Sequence, residues 1–131
     1  MGHVDFEYCA GSPQIFDVST VSLKTPARSG KTFSLTIKGK AKSSASVAQS
    51  FSVLRSGSIV LFEDGNQYQK SIKTGVPLNY DNGVVLPNFI QSGKYLYQIS
   101  FSDSIINSSC IQFWVSIDES SQPALPSNRY Y

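Results

Sequence analysis

Apolar and polar residues alternate with a period of two along most of this chain, and the 3.6-residue recurrence of an amphipathic helix is absent. Val4–Tyr8 predicts a short first strand, and Ile15–Lys24 a weakly alternating second that ends at Thr25-Pro26. The clearest segment is Lys31–Lys40, where Phe33, Leu35 and Ile37 share one face and Thr32, Ser34, Thr36 and Lys38 the other. Val47–Leu54 and Ile59–Glu63 flank Arg55-Ser56-Gly57-Ser58, which predicts a hairpin. Asp64-Gly65 reads as another turn, before a weaker strand at Gln67–Lys73. Gly75–Leu86 is irregular, with Pro77 and Asp81-Asn82-Gly83. Tyr95, Tyr97, Ile99 and Phe101 alternate, as do Ile111, Phe113, Val115 and Ile117 after Cys110.

Seven or eight short strands with turn signals about every ten residues predict an all-β, immunoglobulin-like antiparallel β-sandwich. The immunoglobulin likeness is architectural only. The one tryptophan, Trp114, follows Cys110 instead of preceding it, and Ser108 stands where that domain carries a tyrosine. Residues 4–118 are read as one domain, residues 1–3 as an artificial start and residues 119–131 as a disordered tail.

The two cysteines, Cys9 and Cys110, bracket nearly all of the strand-forming segments. Their pairing would tie the first strand to the last; two buried thiols are the alternative. Asn107-Ser108-Ser109 is a glycosylation acceptor sequence. Aromatic residues make up 12% of the chain and charged residues 15%, with a net charge of +2. That profile fits a secreted β protein and argues against a dedicated nucleic-acid binder. No apolar leader, myristoylation pattern or membrane-spanning run is visible, since Phe6 stands where the lipidation signal wants Ser or Thr.

Catalysis is hard to assemble. The single histidine, His3, sits at the start of the chain, and the adjacent acids Glu63-Asp64 and Asp118-Glu119 point to opposite faces if extended. An enzyme, a metal site and a cofactor are therefore not expected. Lys38, Lys40 and Lys42 read either as a solvated, edge-protecting face or as a docking patch for anionic lipid headgroups. The apolar faces leave two interiors open. Sheets about 10 Å apart fill their core with their own side chains, whereas splayed sheets enclose an apolar cavity.

Several landmarks, taken in order, resemble the ML lipid-recognition family, which includes Niemann–Pick type C sterol carriers and phosphatidylglycerol/phosphatidylinositol transfer proteins. These are Phe6-Glu7-Tyr8-Cys9-Ala10-Gly11-Ser12, Ile15-Phe16-Asp17-Val18, and Pro26 with Gly30-Lys31. Gly57 followed by Ile59-Val60-Leu61-Phe62, Val84-Val85-Leu86-Pro87, Ile90, Gly93-Lys94-Tyr95, and Cys110-Ile111-Gln112-Phe113 complete the series. The further cysteines common in that family are missing, with Val76-Pro77 where a Cys-Pro is usual.

The resemblance implies splayed sheets holding a sterol, fatty acid or phospholipid tail, with no chemistry. It implies a pocket lined by Phe33, Leu35, Ile37, Phe51, Val53, Tyr95, Tyr97, Ile99, Phe113 and Val115, and a mouth formed by Val60, Phe62, Phe89 and Ile90. Such a carrier implies a secreted or endolysosomal setting, with a transient membrane surface and a membrane protein that receives or donates the lipid as its partners. The contrasting expectation is an extracellular interaction module with a filled core.

Overall fold

The computed structural model describes residues 2–11, 15–102 and 108–119. Nine strands run through them: β1 (Gly2–His3), β2 (Glu7–Tyr8), β3 (Phe16–Leu23), β4 (Thr32–Ala41), β5 (Ala45–Ser56), β6 (Ile59–Ile72), β7 (Pro77–Val85), β8 (Gly93–Ser102) and β9 (Ser108–Ile117). They build an immunoglobulin-like sandwich of two antiparallel sheets, ordered β1-β3-β4-β7 and β2-β9-β8-β5-β6. Asn107 and residues 120–131 lie outside the described residues.

The expected first strand divides between the sheets. Gly2-His3 pairs with β3, and Glu7-Tyr8 pairs with β9. Residues 4–6 make the crossing, held by a 2.9 Å bond from the Val4 amide to the Val21 carbonyl. Cys9 and Cys110 form a disulfide across a Cα–Cα distance of 5.3 Å, which fastens this entering segment to β9.

Two turn signals are overridden. Asp64-Gly65 does not turn; β6 continues through it because β5 is long enough to pair with it throughout. The Phe51 ring lies over the bare Gly65 backbone, where an added Cβ would stand 3.3 Å from the ring. The stretch from Gly75, expected to be irregular, carries β7, with Leu78, Tyr80, Asn82 and Val84 buried in strict alternation. Asn82 breaks the hydrophobic pattern without breaking the strand, since hydrogen bonds satisfy its amide inside. β7 is an edge strand, so Pro77 at its start deprives no neighbour of a donor. The turn at Gly57 does form: its φ of 62° suits a tight hairpin between Ser56 and Ile59.

The cavity expected between the sheets is closed where the described residues meet. The Phe33 ring of β4 packs edge-on against Tyr97 of β8 at 5.3 Å, and Tyr80 of β7 against Phe101 of β8 at 4.8 Å. Phe16 adds a third contact between the sheets, with Phe101 at 5.3 Å, while Tyr97 stacks on Phe113 within its own sheet. Polar groups close the same seam. Ser50 Oγ and Tyr80 OH share a 2.7 Å hydrogen bond, and Asn82 Nδ2 donates to Ser52 Oγ and to Tyr97 OH, each at 3.3 Å. At these contacts large rings from both sheets meet directly.

Candidate functional site

The interior positions divide by strand register. Phe33, Leu35 and Ile37 of β4, Tyr97 and Ile99 of β8, and Phe113 and Val115 of β9 are all buried in the core. Alternation on β4, β8 and β9 was enough to place them. β5 runs the other way from expectation. Ser50, Ser52 and Leu54 face inward, so Phe51 and Val53 lie on the outer face of their sheet. Phe51 is 40% exposed, and Val53 is covered by neighbours but stands apart from the core cluster. On β5 the serines face the other sheet and the alternating Phe51 and Val53 do not, so there the pattern marks a shared face without marking the inner one.

A cleft opens at one end of the sandwich. It has a volume of about 250 Å³ and lies between the β5–β6 turn, the 87–92 loop and the start of β8. Ile59, Leu61, Phe89, Ile90 and Tyr95 supply its apolar wall. Of the four residues expected at a mouth, Phe89 and Ile90 are on this wall. Val60 is not: it pairs with Arg55 and is exposed on the outer face. A register shift between Leu54 and Arg55 leaves Leu61 without a directly opposed partner, so Ile59 and Leu61 take the cleft side. Phe62, opposite the buried Leu54, packs against the core behind the cleft. Ile59 and Leu61 were missed because the bulge that aims them has no mark in the sequence.

The 87–92 loop is anchored from both sides. The Ser29 hydroxyl donates to the Ile90 carbonyl, and the Tyr95 hydroxyl donates to the Gln91 carbonyl at 2.6 Å. Ile90 is thereby drawn under the loop, and Phe89 is left pointing out at 65% exposure. Across the cleft, Ile59 is 63% exposed. Two large apolar side chains thus stand in water on either side of the cleft.

Ionisable groups stand mostly clear of this cleft. Burial raises the Tyr97 hydroxyl to about 12, against a smaller lowering by its hydrogen bonds to Ser52 and Asn82, so it stays a neutral bridge. Burial likewise raises Tyr80. On the outer face of the first sheet, the Thr36 hydroxyl and the Lys24 ammonium hold the Asp81 carboxyl below its usual range. Among the described residues no three His, Cys, Asp or Glu side chains gather as a metal site, and no helix is long and apolar enough to cross a membrane.

No family model matches this chain, and no curated protein matches it in sequence. Solved structures do match it in shape. A Niemann–Pick type C2 protein from the Japanese carpenter ant superposes with a TM-score of 0.69 at 9% identity, over 87% of this chain and 99% of that one. The C-terminal domain of wzt matches with the same TM-score at 8% identity, over 98% of this chain and 93% of that one. At such identities the likeness is one of fold.

Proposed function

We propose that the chain is a lipid-binding and transfer protein that receives an apolar tail at the cleft between the β5–β6 turn and the 87–92 loop. The observation that carries this reading is the pair of outward-pointing apolar residues, Ile59 and Phe89, at a cleft that leads toward Leu61, Ile90 and Tyr95. Covering each of the two exposed side chains contributes about 1.5–3 kcal/mol. The ordered landmarks shared with the lipid-recognition family and the fold shared with a Niemann–Pick type C2 protein support the same reading. The tail is that of a sterol, fatty acid or phospholipid, and its polar head stays in water. The disulfide suits a secreted or endolysosomal protein.

Deeper entry requires the Phe33–Tyr97–Phe113 rings to part. At a membrane, the cleft end offers Lys31 and Lys94. Lys38, Lys40 and Lys42 stand toward the far end of β4, where Lys40 pairs with Pro77. Their role is the solvated face.

The cross-sheet bonds of Asn82 and Tyr80 favour a second reading, an extracellular interaction module with a permanently filled core. One experiment separates them. The protein is incubated with cholesterol, palmitate or phosphatidylglycerol vesicles, re-isolated and weighed by native mass spectrometry. Retained lipid, reduced in Leu61→Trp, supports the carrier; an empty protein with all three supports the module.

A further inference from the structure

A second concavity lies on the outer face of the β2-β9-β8-β5-β6 sheet, away from the lipid cleft. β2 covers β9 only at Ile111 and Gln112, because the chain before Glu7 crosses to the other sheet. Asp5 and Phe6 therefore peel away from β9 just where Trp114 begins. The result is a notch of about 160 Å³ walled by Asp5, Phe6, Glu7, Leu96, Gln112 and Trp114. Trp114 is 59% exposed, an unusual setting for the largest apolar side chain in the protein.

Beside it runs a directional hydrogen-bonded row. Arg55 Nε donates to Gln98 Oε1 at 2.6 Å, Gln98 Nε2 to Gln112 Oε1 at 2.8 Å, and Gln112 Nε2 to Glu7 Oε2 at 2.7 Å. Gln98, Gln112 and Glu7 thus lie in one row across three strands, and Arg55, opposite Leu96 in the next row, reaches over to it. At its end, Gln112 keeps one N–H and Glu7 one carboxylate oxygen beyond these bonds. The next row on the same face pairs Trp114 with Leu96, giving an apolar floor beside a fixed polar edge.

We infer that this notch binds a single ring of a neutral saccharide. A pyranose presents an apolar C–H face to an indole and, at its rim, neighbouring hydroxyls that both donate and accept. Glu7 accepts from one hydroxyl and the Gln112 amide donates to its neighbour. The row is already ordered, so little side-chain freedom is lost on binding. A cationic guest is the poorer fit, because the Arg55 guanidinium at the head of the row offsets part of the negative charge of Glu7 and Asp5.

Trp114 is the only tryptophan, so its emission reports on the notch alone. The full chain is titrated with methyl glycosides of neutral hexoses and of N-acetylhexosamines. The expected result is a saturable emission change with at least one glycoside, with a Kd on the order of 1 mM. Gln112→Ala should weaken that binding by about tenfold, or 1.4 kcal/mol, while retaining the parent melting temperature. Trp114→Ala, followed by ligand-detected NMR, should abolish it and leave lipid retention unchanged. A silent indole up to about 50 mM of every glycoside overturns the proposal. So does a response to tetramethylammonium alone, or a glycoside response that Gln112→Ala leaves intact.

Discussion

Asn82→Leu tests whether polar bonds or ring packing alone hold the two sheets together. Leucine fills nearly the same volume, so the substitution removes hydrogen bonds more than it opens space. Asn82 Nδ2 donates to Ser52 Oγ and Tyr97 OH across the seam, both at 3.3 Å and both to buried groups. A net hydrogen bond is worth about 1 kcal/mol, and leaving a buried hydroxyl short of a partner adds about 1–3 kcal/mol. The bonds are long, and Tyr97 keeps its interaction with Ser52, so the lower end applies. The expected loss is about 2 kcal/mol, or about 7 °C in Tm for a domain of this size. Urea unfolding followed by far-UV circular dichroism measures it. Adding Ser52→Ala removes one stranded partner and should recover part of the loss. A single variant as stable as the parent would refute the idea that these bonds close the seam.

Further outcomes follow from the same structure. Tyr97 sits at about 12 when folded against an ordinary 10.0, so the folded state holds its proton more tightly. The stability this contributes is full below pH 10 and lost as pH rises toward 12, by about 2.7 kcal/mol; urea midpoints at pH 9 and pH 11 should show the fall, and Tyr97→Phe should flatten it. Cys9→Ser with Cys110→Ser opens a loop with a sequence separation of 101 and should cost about 4–5 kcal/mol, read as a lowered urea midpoint. Gly39→Ala puts a Cβ 2.8 Å from the Val18 Cα at the β3–β4 register shift and should cost about 2–4 kcal/mol, whereas Gly57→Asn, in an open turn, should cost under about 1 kcal/mol by the same assay.

The candidate site was legible in part. The landmark series singled out Phe89 and Ile90, and they line the cleft in the loop where the chain passes from one sheet to the other. Ile59 and Leu61 could not be singled out, because one unopposed residue on β6 exchanges them with Val60. The Glu7–Gln112–Gln98–Arg55 row was equally hidden. Its members are spread over four strands; pairing register aligns Glu7, Gln112 and Gln98, and the Arg55 side chain reaches Gln98 from the neighbouring row.

Local alternation by itself determined the strand class of β3, β4, β8 and β9, and the inward faces of the last three. Their apolar residues recur at period two, and the pleat turns that directly into a buried side. The sequence also placed the two cysteines at opposite ends of the strand series, where closure of the sandwich brings them together. Only the tertiary structure decided the facing of β5, the existence of β7, the continuity of β6 and the filled seam. Each of these depends on partners distant in the chain. Ser50 and Ser52 face inward because Tyr80 and Asn82 meet them there, and the sheets close because rings from β4 and β7 reach those of β8. A period-two pattern carries no information about the distance between two layers. That distance is set by the volumes that meet across it.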